Sequence, residues 1–192
     1  LALTACGGGG GGSPSQVGES ITAVSTTIST NLLQTKGTSQ NGWTASSELS
    51  SMLSKMEEMG VTLSGMDKQA TIAYSAYLTT GDQTALKAFL PTIETLITLE
   101  EQVHTVVEAN LVTLVNGDSN FKKEYAEYKA YMVVIKDFKT FINKHGDGQT
   151  FETDQYQWLL NDNAFNEKIS TQQTYYENDV QAKFEQKTEE AE

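Results

Sequence analysis

The sequence predicts an all-α protein: an up-and-down antiparallel bundle of four long helices with an additional N-terminal helix. Three observations predict it. Only two prolines, Pro14 and Pro91, interrupt the 192 residues. Apolar side chains recur every three or four residues over long stretches, which is the period of a helix face. Short Gly/Asp turns join the stretches, and such turns return successive helices as antiparallel neighbours. No strand alternation and no repeat of fixed period is visible.

The first helix is expected between Gln16 and Lys36. Val17, Ile21, Val24, Ile28 and Leu32 form its stripe, although β-branched threonines weaken the propensity. Gly37 to Gly42 reads as a loop. The second stretch runs from Thr44, a plausible N-cap, to Thr80. Leu49, Met52, Leu53, Met56 and Met59 make its face, and a break is expected near Gly60 or Gly65. Gly81-Asp82 punctuates, with Asp82 as the next N-cap. The third stretch, to about Val115, is the most apolar, and Pro91 should kink or restart it. Asn116-Gly117-Asp118 is a turn. The fourth runs from Ser119 to His145, where Phe121, Tyr125, Tyr128, Met132, Ile135, Phe138 and Ile142 form a bundle seam. A fifth begins near Thr153 and fades into the acidic tail 189–192, expected to fray.

Upstream of the helical domain, taken as 16–188, the chain reads Leu1-Ala2-Leu3-Thr4-Ala5-Cys6, six glycines, then Ser13-Pro14-Ser15. Leu3-Thr4-Ala5-Cys6 resembles the bacterial lipobox. The resemblance implies that residues 1–5 are the end of a signal peptide whose earlier part precedes this chain. It implies that Cys6 is the lipid attachment site, carrying diacylglyceryl and amine-linked acyl chains such as palmitate. Residues 6–15 would then be a Gly/Ser tether. Anchoring that holds needs at least two acyl chains, which a fully modified Cys6 would provide. The expected place is the bacterial cell envelope, and Gly7 rather than aspartate after the cysteine favours the outer membrane by the same resemblance.

Tyr77-Leu78-Thr79-Thr80-Gly81-Asp82, followed by Leu86, Phe89 and Ile93, resembles the first hairpin of the extracellular four-helix-bundle sensor domains of bacterial chemoreceptors and histidine kinases. That resemblance implies a fold and not a signalling role. The flanking transmembrane helices, the coupled signalling domains and the ligand-holding arginines of those sensors have no counterpart in this sequence.

Composition narrows the function further. The net charge is -12 and every basic residue is lysine. Nucleic-acid affinity rests on cations facing phosphates, led by arginine, so no nucleic-acid partner is expected. The same balance argues against electrostatic docking on anionic headgroups. With Cys6 the sole cysteine, no intramolecular disulfide or multi-cysteine zinc site can form. No Gly-x-Ser-x-Gly, P-loop, Rossmann or His-Glu-x-x-His pattern occurs, so the chain is not expected to be an enzyme and no cofactor is expected.

Two sets of side chains remain as candidates. Glu101, His104 and Glu108 share or flank one helix face, a geometry able to ligate a metal; a solvated or capping histidine is the plainer reading. Tyr125, Tyr128, Tyr156 and Trp158 could line a ligand groove, while their helical spacing also suits a core. The leading functional reading is a lipid-anchored envelope protein that contacts another envelope or extracellular protein through a bundle face. The alternative is a sensor-like bundle holding a small molecule, and a lower one is a metal-binding protein using His104.

Overall fold

The computed structural model describes residues 13–33, 47–144, 156 and 161–192. Cys6, Thr44, His145, Thr153 and Trp158 lie outside them. Among the described residues the chain is all-helical, with no strand.

Helix α1 spans Pro14–Ile28. The Ser13 hydroxyl accepts from the Gln16 N–H while the Gln16 side chain accepts from the Ser13 N–H. This reciprocal box satisfies two donors that a helix start otherwise leaves bare. Pro14 suits the first turn, where its missing N–H costs nothing. Val17, Ile21, Val24 and Ile28 are buried, as their spacing requires. One π turn, Ser29–Leu33, follows. There the Asn31 side-chain amide donates to the Thr27 carbonyl at 2.8 Å.

The stretch expected from Thr44 to Thr80 contains two helices, α2 (Ser47–Ser64) and α3 (Asp67–Thr80). The break falls just after Gly65, and Gly60 stays helical. Gly60 is needed where α1 crosses α2. A Cβ on Gly18 would stand 2.8 Å from the Gly60 carbonyl oxygen, and a Cβ on Gly60 would stand 2.6 Å from Thr22 Oγ1.

Gly18→Ala is therefore expected to destabilise the fold by a net ~1–2 kcal/mol. Overpacking against backbone costs ~1–3 kcal/mol, which outweighs a helix-propensity gain of ~1 kcal/mol. Gly60→Ala meets only a side chain, so adding Thr22→Ala should restore most of its loss. Urea unfolding of these variants checks both expectations. A Gly18→Ala protein as stable as the parent would mean that the crossing has room to spare.

Gly81, at φ 70°, is the left-handed C-cap of α3, the conformation that glycine adopts without Cβ strain. Asp82 Oδ1 accepts from the Thr84 N–H at 2.9 Å, which holds its carboxyl below the usual carboxylate range. The short α4 (Thr84–Lys87) follows, with Gln83 rather than Asp82 at its N-cap. Pro91 restarts the chain as α5 (Leu90–Ala109). Asn110 separates α5 from α6 (Leu111–Gly117). Helix α7 spans Phe121–Lys144, with all seven residues of its predicted seam buried. Helix α8 spans Asp162–Glu189, N-capped by Asn161, which accepts from the Ala164 N–H.

Helix α1 packs between α2 and α7, and α5 also touches both α2 and α7; α8 lies along α7. The contacts fix directions. Ser15 meets Asp67 and Gly18 meets Gly60, so α1 and α2 run antiparallel. Glu94 pairs with Lys139 while His104 meets Tyr125, so α5 and α7 do too. Lys168 pairs with Asp137 and Lys122 with Gln181, so α7 and α8 also oppose each other. The first helix is thus a wall of the core, not an addition to it. The least buried long helix is α8, whose buried side chains are Phe165 and Val180.

Helix α3 crosses one end of this arrangement. The Ser15 N–H donates to Asp67 Oδ1 at 3.1 Å at its start. Near its finish the Tyr77 ring meets Phe141, in the last turn of α7, edge-on at 5.6 Å. The opposite end gathers the π turn, the start of α2, α6 and the start of α7, where the Thr27 hydroxyl donates toward Asp118 and Glu124 at 3.4 and 3.2 Å.

Candidate functional site

Glu100, His104 and Glu108 stand four residues apart on α5, so they form one stripe. That stripe faces α7 and α8. Glu100 is almost fully buried and pairs with Lys129 at 2.6 Å through one oxygen and with Lys136 at 2.7 Å through the other. His104 Nδ1 lies 3.2 Å from the Tyr125 hydroxyl. Glu108 pairs with Lys183 at 3.2 Å and Lys187 at 3.9 Å. The Lys187 ammonium also donates to the Glu108 carbonyl. Lys129 reaches the face of the Tyr176 ring, 5.5 Å from its centroid. Three helices are therefore joined by a polar seam laid over an apolar core.

Glu101 is exposed, and Glu108 is occupied by ammonium groups. The structure does not bring Glu101, His104 and Glu108 together as ligands. Among the described residues no group of three or more His, Cys, Asp or Glu is placed to hold a metal ion.

Of the four candidate groove residues, Tyr125 and Tyr128 are interior. Tyr125 lies between Phe121, with centroids 5.7 Å apart, and Tyr128, at 6.2 Å. The Tyr128 hydroxyl is buried with no hydrogen-bond partner among the described residues. Tyr156 is half-buried, with the Lys144 ammonium 5.7 Å from its ring centre. Trp158 lies outside the described residues. Tyr125 and Tyr128 thus belong to the core and do not line a surface groove.

Burial pushes the Tyr74, Tyr125 and Tyr128 hydroxyls well up. Burial, then Glu127 and Glu19, pushes Tyr131 up to about 12. An unfolded tyrosine ionises near pH ~10, whereas these stay protonated in the fold. The folded state then holds more protons, so stability falls as pH rises. Stability is expected to be intact below about pH 10 and to drop progressively from there toward pH 12. Fluorescence-monitored unfolding midpoints across that range check the expectation, and a flat profile would contradict it.

A cleft that the sequence did not indicate runs between α2 and α5. Its wider part, about 720 Å³, is lined by Ser47, Glu48, Ser51, Met52, Gln102, Thr105 and Val106. A narrower part of about 330 Å³ continues past Lys55, Glu94, Thr95, Thr98, Leu99 and Gln102. Met52, Leu99 and Val106 are buried and form the floor, while hydroxyl and amide groups with Glu48, Lys55 and Glu94 make the walls. The signal that could have found it is the set of uncharged polar residues Thr95, Thr98, Gln102 and Thr105, which share one side of α5. The wider part lies toward the end of the fold opposite α3. No family model matches the chain, and neither a curated protein nor a solved structure matches it.

Proposed function

We propose that this chain is a lipid-anchored protein of the bacterial envelope that binds another protein through one face of a four-helix, up-and-down bundle. The bundle would be the ring α1, α2, α5 and α7, with α8 outside it. The observation that carries this reading is how the lipobox-like Leu3-Thr4-Ala5-Cys6 joins the fold. Six glycines follow it, and α1 then starts at a capped Ser13. From Cys6 to Pro14 an extended chain spans at most ~28 Å. Acylation at Cys6 would hold the α3 end near the lipid and turn the wide part of the α2–α5 cleft away from it. Among the described residues no helix is long and apolar enough to cross a membrane, so the acyl chains would supply the attachment. Gly7 after Cys6 favours the outer membrane.

Detergent phase separation tests the anchor. The protein made from its full precursor should enter the detergent phase with acyl mass on Cys6, and Cys6→Ser should stay aqueous. Aqueous partitioning of the parent with an unmodified thiol would end the reading. A photo-cross-linker at Gln102 tests the binding face: one discrete adduct is expected in intact envelopes, and none from Ser119.

A second reading takes the cleft as a small-molecule site. Its volume falls within the ~300–1,000 Å³ of ligand pockets. Native mass spectrometry of protein isolated from its own envelope should then reveal a bound small molecule.

A further inference from the structure

The geometry points to α3 as a lipid-contacting base: its outward face rests on the bilayer surface beside the acylated Cys6. This inference rests on the proposed lipid anchor. Helix α3 buries Ala70, Ala73, Tyr74 and Tyr77 against the rest of the fold. Its other face is not the charged surface that a water-facing helix normally presents. Ile72 and Leu78 stand 57% and 59% exposed there. At 100° per residue, Ile72, Ser75 and Leu78 step across one outward arc, which also takes in Lys68, Thr71 and Thr79. Lys68 is the one charge on that arc, and its stem can lie on apolar surface with the ammonium in the headgroups. The last turn of α2, adjoining α3 in the chain, adds Val61 at 69% exposure. These three are the large exposed aliphatic side chains among the described residues, and all belong to the α2–α3 corner.

Position and charge name the occupant. Both ends of α3 are pinned at the end of the fold where α1 begins, through Ser15–Asp67 and Tyr77–Phe141. That is the end within reach of Cys6. Between Gly60 and Leu90 the two acids, Asp67 and Asp82, balance the two bases, Lys68 and Lys87, in a chain of net charge -12. A bilayer carrying anionic lipid repels the acidic remainder of the protein but not this neutral segment. The charge distribution therefore orients the anchored domain with α3 down. Two or three aliphatic side chains bind a bilayer weakly alone, but tethering raises their effective concentration at the surface.

Acylation leaves no free thiol in the parent chain, so single cysteines can be labelled selectively. Ile72→Cys, Leu78→Cys and, as a control at the opposite end, Ser119→Cys would each carry an environment-sensitive fluorophore. The acylated proteins are reconstituted into vesicles of phosphatidylethanolamine with about one quarter anionic phosphatidylglycerol, which supply the repulsion that orients the domain. Labels at 72 and 78 are expected to shift blue and brighten severalfold relative to the same single cysteines in an unacylated Cys6→Ser background in detergent-free solution, while the label at 119 does not change. If the protein floats with the vesicles yet labels at 72 and 78 stay as wet as the label at 119, the base inference fails and the anchor stands. If the protein does not float, the anchor itself fails. A blue shift at 72 and 78 in the unacylated Cys6→Ser background without vesicles would assign the face to a second copy of the chain, which also overturns the inference.

Discussion

Replacing Phe165 by alanine is expected to release α8 from the rest of the fold. Helix α8 is 28 residues long, yet Phe165 and Val180 are its buried side chains, with Ile169 and Phe184 partly buried. Its polar attachments, partly exposed, include Lys168 with Asp137 at 3.0 Å, Lys183 and Lys187 with Glu108 at 3.2 and 3.9 Å, Lys122 with Gln181 and near the Phe184 ring, and Lys129 over the Tyr176 ring. Partly exposed ion pairs of this kind contribute ~0–1 kcal/mol each. Truncating a buried phenylalanine costs ~3–5 kcal/mol, so its loss outweighs any single polar clasp. The expected result is local opening. Amide exchange across Asp162–Glu189 should accelerate by two or more orders of magnitude (~1.4 kcal/mol per decade) while α1 and α2 keep their protection. Uniform acceleration over the whole chain would instead mean that α8 and the core unfold together.

The second large effect is expected at Glu100. Its carboxylate is nearly water-free and neutralises both Lys129, itself largely buried, and Lys136, which is half exposed. In Glu100→Ala, Lys136 can turn to solvent but Lys129 cannot easily do so. Breaking a buried pair from one side costs ~3–5 kcal/mol, and the exposure of Lys136 places this case at ~3 kcal/mol. Removing both charges is different, because apolar replacements leave no stranded ion. Glu100→Leu with Lys129→Met should therefore recover most of the stability lost in Glu100→Ala. Denaturant midpoints of the single and double variants decide this. A double variant as weak as the single one would show that packing, not charge, sets the cost.

How far the fold was legible depended on how each residue makes its contacts. The α7 seam was legible because seven apolar side chains step by three or four without exception, and every one is buried. The stripe Val17–Ile28 was legible for the same reason. Periodicity is a weaker guide in α8, where Tyr175 stands 61% exposed. A pattern reports that a side chain is apolar, not that another helix arrives to cover it. Gly60 and Gly65 looked alike as breakers. Only Gly65 follows a helix end; Gly60 stays helical, and its missing Cβ leaves room for the Thr22 side chain of α1. The candidate site was half legible. The Glu100–His104–Glu108 stripe follows from spacing, but its partners lie on α7 and α8, and no local rule names them. The pairs Lys129/Lys136 and Lys183/Lys187, at seven and four residues' separation, were the one hint that cations share a face.

The placement of α1 has a mechanical consequence. A pull on the chain's beginning enters the fold at Ser13 and acts along the axis of α1. Because α1 is sandwiched between two antiparallel neighbours, α2 and α7, that load slides it lengthwise instead of peeling it away. All its interlocked side chains must then yield at once. Traction at the other terminus would strip α8 turn by turn, so the domain should resist tension far better from its first helix than from its last.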